Sequence, residues 1–236
     1  MVTLRPSAAR GHGDHGWLDS RHTFSFADYH DPQQMGWRTL RVINEDRLAP
    51  SMGFGTHGHR DMEIISYVVS GELAHRDSIG GQQTLRPGQV QVMSAGRGIM
   101  HSEFNASASE PTHFLQIWIR PAETGGEPRY EQRDWPESLR RNRLCLLASP
   151  DGAESSSVIG QDARVYASLL ATGHRLDHEL APGRGVWLQL ISGALTVQGA
   201  DVAPGDGLAI DAVPTVGLLA MADSEFILFD LGEDSA

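Results

Sequence analysis

Gly53-Phe-Gly-Thr-His-Gly-His-Arg-Asp-Met-Glu63 places His57 and His59 two residues apart, directly ahead of an apolar, β-branched run of Ile64, Ile65, Tyr67, Val68 and Val69. Side chains at i and i+2 of a strand share one face, so this spacing sets two imidazoles side by side. Neutral imidazole is the commonest metal ligand, and a same-face pair is the beginning of a metal site. A second pair of the same spacing, His101 and Glu103, follows in Gly98-Ile-Met-His-Ser-Glu-Phe-Asn105. Each pair alone has a plainer reading as surface or hydrogen-bonded side chains at loop ends, since eleven histidines in 236 residues place some pairs by chance. Two such pairs, each beside a strand-like segment and flanked by turn glycines, favour a site of three histidines and one carboxylate.

The sequence around them is patterned for strands. Gly (26) and Pro (12) punctuate short β-rich runs. Residues 37–44, 64–69, 72–77 (with His75), 90–92 and 112–120 read as strands. Ser70-Gly71, Gly80-Gly81 and Leu85-Arg-Pro-Gly88 read as turns. Residues 1–30 form a polar arm in which His12, His15, His22 and His30 read as exposed or capping. Trp17, Leu18, Phe24 and Phe26 offer anchors that tie the arm to a barrel. Gly11–Gly16 and Gly53–Gly58 both match G-x-G-x-x-G, but neither opens a helix after a parallel-type strand, so no dinucleotide site is read from them. Residues 121–143, rich in Pro, Gly, Glu and Arg, read as a linker, with Asp134-Trp-Pro-Glu137 as a helix start.

A repeat spans the linker. Val69-Ser-Gly-Glu-Leu73 is echoed by Ile191-Ser-Gly-Ala-Leu195, and Leu85-Arg-Pro-Gly88 by Val202-Ala-Pro-Gly205. Sliding one copy onto the other maps His57 and His59 to Glu179 and Ala181, and His101 and Glu103 to Leu218 and Ala220. The second copy keeps the scaffold and lacks the ligands. His174 and His178, four apart with no downstream pair, read as surface residues.

Composition excludes other classes. A net charge of −11 argues against nucleic-acid binding, which needs a basic surface. The lone Cys145 rules out an internal disulfide and a thiolate zinc cage; within Leu144-Cys-Leu-Leu147 it reads as a core residue. The first residues lack the apolar centre of a signal peptide and no stretch reaches membrane-spanning length, so the expectation is a soluble cytoplasmic protein without membrane contact.

His57-x-His59-x3-Glu63 followed by Gly98-x2-His101-x3-Asn105 resembles the paired motifs of the cupin superfamily. Finer stretches resemble the pirin family: Trp17-Leu-Asp-Ser20, His22-Thr-Phe-Ser-Phe-Ala27, Gly55–Glu63, Arg86-Pro-Gly88, and Met93-Ser-Ala-Gly-Arg-Gly-Ile-Met-His-Ser-Glu103. The likeness is specific over residues 15–120 and architectural after about residue 145. Gly96 stands where many cupins carry Pro, and Gly58 separates the histidines where many pirins carry Pro; neither change removes a ligand. The resemblance implies an all-β bicupin, two antiparallel β-barrels joined by a linker with little helix. Residues 1–125 would be the metal-binding domain, and 126–236 the linker and a degenerate cupin.

The same resemblance implies one divalent metal ion per chain, held in the first barrel by His57, His59, His101 and Glu103. Nitrogen and oxygen donors without thiolate suit Fe(II) first, with Mn, Co, Ni, Cu or Zn as alternatives. The general cupin motif nominates Glu63 as the carboxylate and the pirin likeness nominates Glu103. Glu63 lies four residues past His59, roughly 13 Å along an extended strand. Glu103 is therefore chosen, and Glu63 is expected to orient an imidazole from behind.

Bacterial pirins are associated with quercetin 2,3-dioxygenase activity. The implied reaction opens a flavonol-type aromatic with O2 and releases carbon monoxide, with Glu103 serving as ligand and general base together. Phe54, Met93 and Phe104 are candidates for the barrel mouth or its core, and substrate contacts are otherwise unassigned. The rival readings are a metal-responsive regulatory protein acting on a protein partner, and a metal-assisted isomerase or hydrolase of small polar molecules. No basic patch or interaction tail speaks for a partner.

Overall fold

Glu63–Ser70 is buried on both faces along most of its length, which explains why its apolar run does not alternate with charge. The structure, a computed structural model, describes residues 1–233. Glu63–Ser70 is an interior strand of a seven-stranded sheet ordered Arg129–Asp134, Gln89–Ser94, Glu63–Ser70, Thr112–Ile119, Leu40–Leu48, Leu18–His22 and Gly11–Asp14. A four-stranded sheet of Gly53–His59, Ile99–Asn105, Leu73–Asp77 and Gln82–Leu85 packs against it. Val68, Leu48 and Phe114 of the first sheet meet Leu73 and Leu85 of the second, and Ile64 and Met93 meet Ile99. These two apolar plugs leave the middle of the barrel polar.

The second half supplies eight of the nine strands of one wrapped sheet, dominated by Gly185–Val197 against Thr215–Leu231. Its interior is filled by Leu188, Leu190, Leu195, Leu208, Phe226 and Leu228. Among the described strands the pairing is antiparallel apart from the short contact of Cys145–Ser149 with Ser157–Val158, and an isolated parallel bridge joins Arg141 to Leu169. The expected architecture of two antiparallel barrels is therefore what the chain adopts. Its repeat is visible in the backbone: Gly71 and Gly193 both take positive φ after a serine, and a Cβ on either would collide with a backbone carbonyl.

The outward faces of the two barrels share a core. Ile65, Tyr67, Leu115 and Ile117 pack with Leu147, Val165, Ile227 and Phe229, and Cys145 is buried at its edge. Two strands also cross between the halves. Val2–Arg5 pairs with Gly207–Asp211 of the second sheet. Arg129–Asp134, inside the stretch read as linker, pairs with Gln89–Ser94 of the first. Its charged, half-exposed sequence hides a strand because it lies at a sheet edge, where charge discourages further pairing. The helix start at Pro136 is real but yields only Glu137–Arg140. Among the described residues no helix is long and apolar enough to cross a membrane.

The arm is clamped by a buried ionic cluster. Arg10 donates to Glu45 at 2.7 Å and His113 Nε2 lies 3.0 Å from the same carboxylate. Burial alone would raise the Glu45 carboxyl, but His113 and Arg10 outweigh it and hold it at about 2. A carboxyl depressed in the folded state stabilises above its unfolded value, and that contribution vanishes as pH falls from about 4.5 to about 2. The loss should be on the order of 3 kcal/mol. Urea unfolding across this range should show the decline, and Glu45→Gln should flatten it while lowering stability at pH 7.

Candidate metal centre

Gly53–His59 and Ile99–Asn105 are neighbours in the four-stranded sheet, with His57 opposite His101 and His59 opposite Ile99. That register turns all three imidazoles inward. Their ring centroids are 4.8 Å (His57–His59), 4.4 Å (His57–His101) and 4.7 Å (His59–His101) apart. One donor atom from each lies within 4.8 Å of the others, and a second set of His75, His101 and Glu103 meets the same limit.

The state of these groups suits a cation. Burial, then the charge of His57, brings His59 down to about 4. Burial, followed by the neighbouring imidazoles, drives His101 far below the ordinary histidine range. Both are neutral at pH 7, with electron pairs to offer. His57 Nδ1–H donates to the Gly55 carbonyl at 2.8 Å, leaving Nε2 as the acceptor. His101 Nε2 is buried without a hydrogen-bond partner. An orphaned inward nitrogen in a ring of imidazoles is what a divalent metal would satisfy, and nitrogen and oxygen donors without thiolate fit Fe(II), Ni(II) and their neighbours.

Beside the imidazoles lies a cavity of about 280 Å³ that also reaches Glu103. Glu103 is fully buried, accepting from Gln116 Nε2 at 2.7 Å and Ser66 Oγ at 3.2 Å. Burial, less the help of Ser66 and with the charge of Asp46, raises its carboxyl to about 7. Asp46 lines the same cavity; burial, partly offset by the Ser20 hydroxyl donating to it, raises it to about 7. Aromatic rings close the walls: Trp17 meets Phe54 edge-on, and Phe26 meets Trp118 edge-on.

Residues 3–119 match the family model described as pirin, and residues 146–231 match that of the quercetinase C-terminal cupin domain. A quercetin 2,3-dioxygenase of Escherichia coli K12 is 46% identical over 231 residues, covering 98% of this chain and 99% of that protein. The chain belongs to the pirin family. A pirin-like protein of Caulobacter vibrioides is 38% identical, with 98% of this chain and 99% of that one covered. The crystal structure of the bacterial pirin YhhW from Escherichia coli in complex with nickel(II) superposes with a TM-score of 0.94. It is 45% identical and covers 99% of this chain and 100% of that one.

Within this pirin fold, sequence reasoning and structure part at several side chains. Glu63, expected to orient an imidazole, accepts from Ser94 Oγ at 2.6 Å and from the backbone of Gly160. The chain turns through residues 60–62, with Asp61 at positive φ, so Glu63 opens a strand of the other sheet and the face shared with His59 is lost. Of the three candidate mouth residues, Phe54 lines the cavity. Met93 is core beside Ile64, and Phe104 points out of the barrel, 41% exposed. His22, read as exposed or capping, is buried in the cavity wall, its Nδ1 2.9 Å from Asn44 Oδ1. The arm's aromatic anchors divide: Phe24 joins the inter-barrel core, whereas Trp17 and Phe26 line the cavity.

Asn44, Asp46, Ser66, Gln116 and the His75–Asp77 pair were not singled out from sequence. A signal existed for Ser66 and Gln116, each a lone polar residue in mid-strand on an otherwise apolar inward face. In the second barrel the mapped positions offer no centre. Leu218 and Ala220 are core, and Glu179 and Ala181 are exposed. His178 instead pairs with Asp230, 2.9 Å away, which also accepts from Arg184. Elemental analysis of dialysed protein should give no more than one tightly bound metal ion per chain.

Proposed function

We propose that this chain is a metal-dependent dioxygenase of the quercetin 2,3-dioxygenase type. One divalent ion, with Fe(II) as the working metal, would be held by His57, His59, His101 and Glu103. The observation that carries the reading is the convergence of three imidazoles beside a cavity walled by aromatic rings and two buried carboxyls. The nickel(II) complex of a pirin 45% identical to this chain supports a divalent ion. The quercetin 2,3-dioxygenase name of a relative 46% identical supports the reaction class. The buried, unpaired Cys145 fits a reducing cytoplasmic setting.

When bound, the metal supplies Lewis acidity, a template for substrate and redox exchange with dioxygen. The chain's own residues do the rest. Trp17, Phe26, Phe54 and Trp118 offer flat apolar faces to a planar aromatic and exclude water around it. Glu103 accepts the proton of the flavonol 3-hydroxyl through its carboxylate, and Gln116 and Ser66 fix that carboxylate while it does so. Asp46, held by Ser20 in the same wall, is placed to hydrogen-bond a second phenolic hydroxyl. Oxygen then adds across the heterocycle, which opens to an ester with loss of carbon monoxide.

Protein loaded with Fe(II) under argon and then given quercetin and O2 should bleach the flavonol and release one carbon monoxide per substrate. Glu103→Gln should lower kcat/KM by about 100-fold or more. Absence of carbon monoxide with every divalent metal tried would overturn the dioxygenase reading in favour of a regulatory pirin.

A further inference from the structure

Behind His101 two side chains, His75 and Asp77, extend a line from its imidazole that the proposed chemistry does not use. Asp77 Oδ2 lies 2.9 Å from His75 Nε2, and both side chains are fully buried. His75 Nδ1 in turn lies 3.5 Å from His101 Nδ1. The other oxygen of Asp77 accepts from the backbone N–H groups of Ile79 at 2.9 Å and Gly81 at 2.8 Å. Tyr130 stacks on the His75 ring at 4.6 Å and 25°, from the edge strand Arg129–Asp134. A Cβ on Gly81 would fall 2.2 Å from Asp77 Oδ2, so the absence of a side chain at residue 81 is what lets the carboxylate sit here.

We infer that Asp77 and His75 are positioning residues that fix the tautomer of His101 and so aim its Nε2 electron pair at the metal. The proton positions follow from the partners, one after another. A carboxylate only accepts, so His75 must carry its proton on Nε2. His75 Nδ1 is then an electron pair and can only accept, so His101 must carry its proton on Nδ1. That leaves His101 Nε2 bare, and Nε2 is the buried atom without a hydrogen-bond partner. The backbone turn at residues 77–81 thereby reaches the metal centre through two imidazoles. Ligating histidines are commonly held this way by a carboxylate or carbonyl. Here a second histidine stands between.

Asp77→Asn gives a sharp test. The two backbone N–H groups that bond Oδ1 would keep the amide oxygen, which turns the amide NH2 toward His75. His75 Nε2 must then accept, Nδ1 carries the proton, and His101 is pushed to the tautomer protonated on Nε2, which has no electron pair there for a metal. Competition titration of the metal-free protein with Ni(II) should show Asp77→Asn raising Kd by about 10- to 100-fold. In a His75→Phe background the same change should have no further effect, because its path runs through His75. An Asp77→Asn chain with native Ni(II) affinity, or an equal loss with His75 replaced, overturns the assignment. A measurement on the native chain stands apart from whether the variants fold. In metal-free protein with 15N-labelled histidine, long-range 15N–1H correlations should show His101 protonated on Nδ1 and His75 on Nε2. A His101 protonated on Nε2 overturns the relay. The inference rests on His101 being a ligand: a native chain that does not bind Ni(II) removes that reading, whereas native binding with unchanged Asp77→Asn removes only the relay.

Discussion

The centre depends on the register between Gly53–His59 and Ile99–Asn105. His57 faces His101 across this pair, and a bulge then brings Glu103 opposite Phe54. A slip of one residue would turn every donor from the interior to the surface. The register is held from the other side as well, because Ile99–Asn105 is itself paired with Leu73–Asp77, placing Glu103 opposite His75 and His101 opposite Asp77. The strand carrying His101 and Glu103 is thus fixed between His57 and His59 on one side and the buried Asp77–His75 pair on the other.

Keeping imidazoles and carboxyls inside a barrel carries a desolvation cost, visible in the lowered histidines and in the Glu103 and Asp46 carboxyls raised to about 7. The first barrel confines that cost to its middle layer, between apolar plugs built around Leu48, Val68 and Phe114 at one end and Ile64, Met93 and Ile99 at the other. Its outer face is then buried again against the second barrel. The second barrel, on the same scaffold, fills most of its interior with leucine, valine and phenylalanine, and its buried Asp230 is neutralised by Arg184 and bonded to His178.

The filled barrel also serves the hollow one. Val2–Arg5 is stitched into the second sheet, and Arg5 reaches back to the Thr23 carbonyl and the Tyr29 hydroxyl. The arm that follows supplies Trp17, His22 and Phe26 to the cavity wall. One wall of the cavity is therefore positioned from the barrel that lacks the centre.

The sequence by itself determined the barrels, the repeat and the inward histidines. These are matters of short-range geometry: a two-residue period, turns that need glycine or proline, and ligand types that announce their chemistry. It also pointed to Glu103 over Glu63, because strand rise alone separates Glu63 from His59. Only the tertiary structure decided which sheet Glu63 enters, since a turn at residues 60–62 cancels the parity that sequence spacing suggests. Only it showed that Arg129–Asp134 is a strand, because an edge strand of charged residues reads like a linker. His75, Asp77, Asp46 and Gln116 became part of the site through pairing between strands distant in sequence. Such pairing leaves no local period to read, and their role comes from what they face.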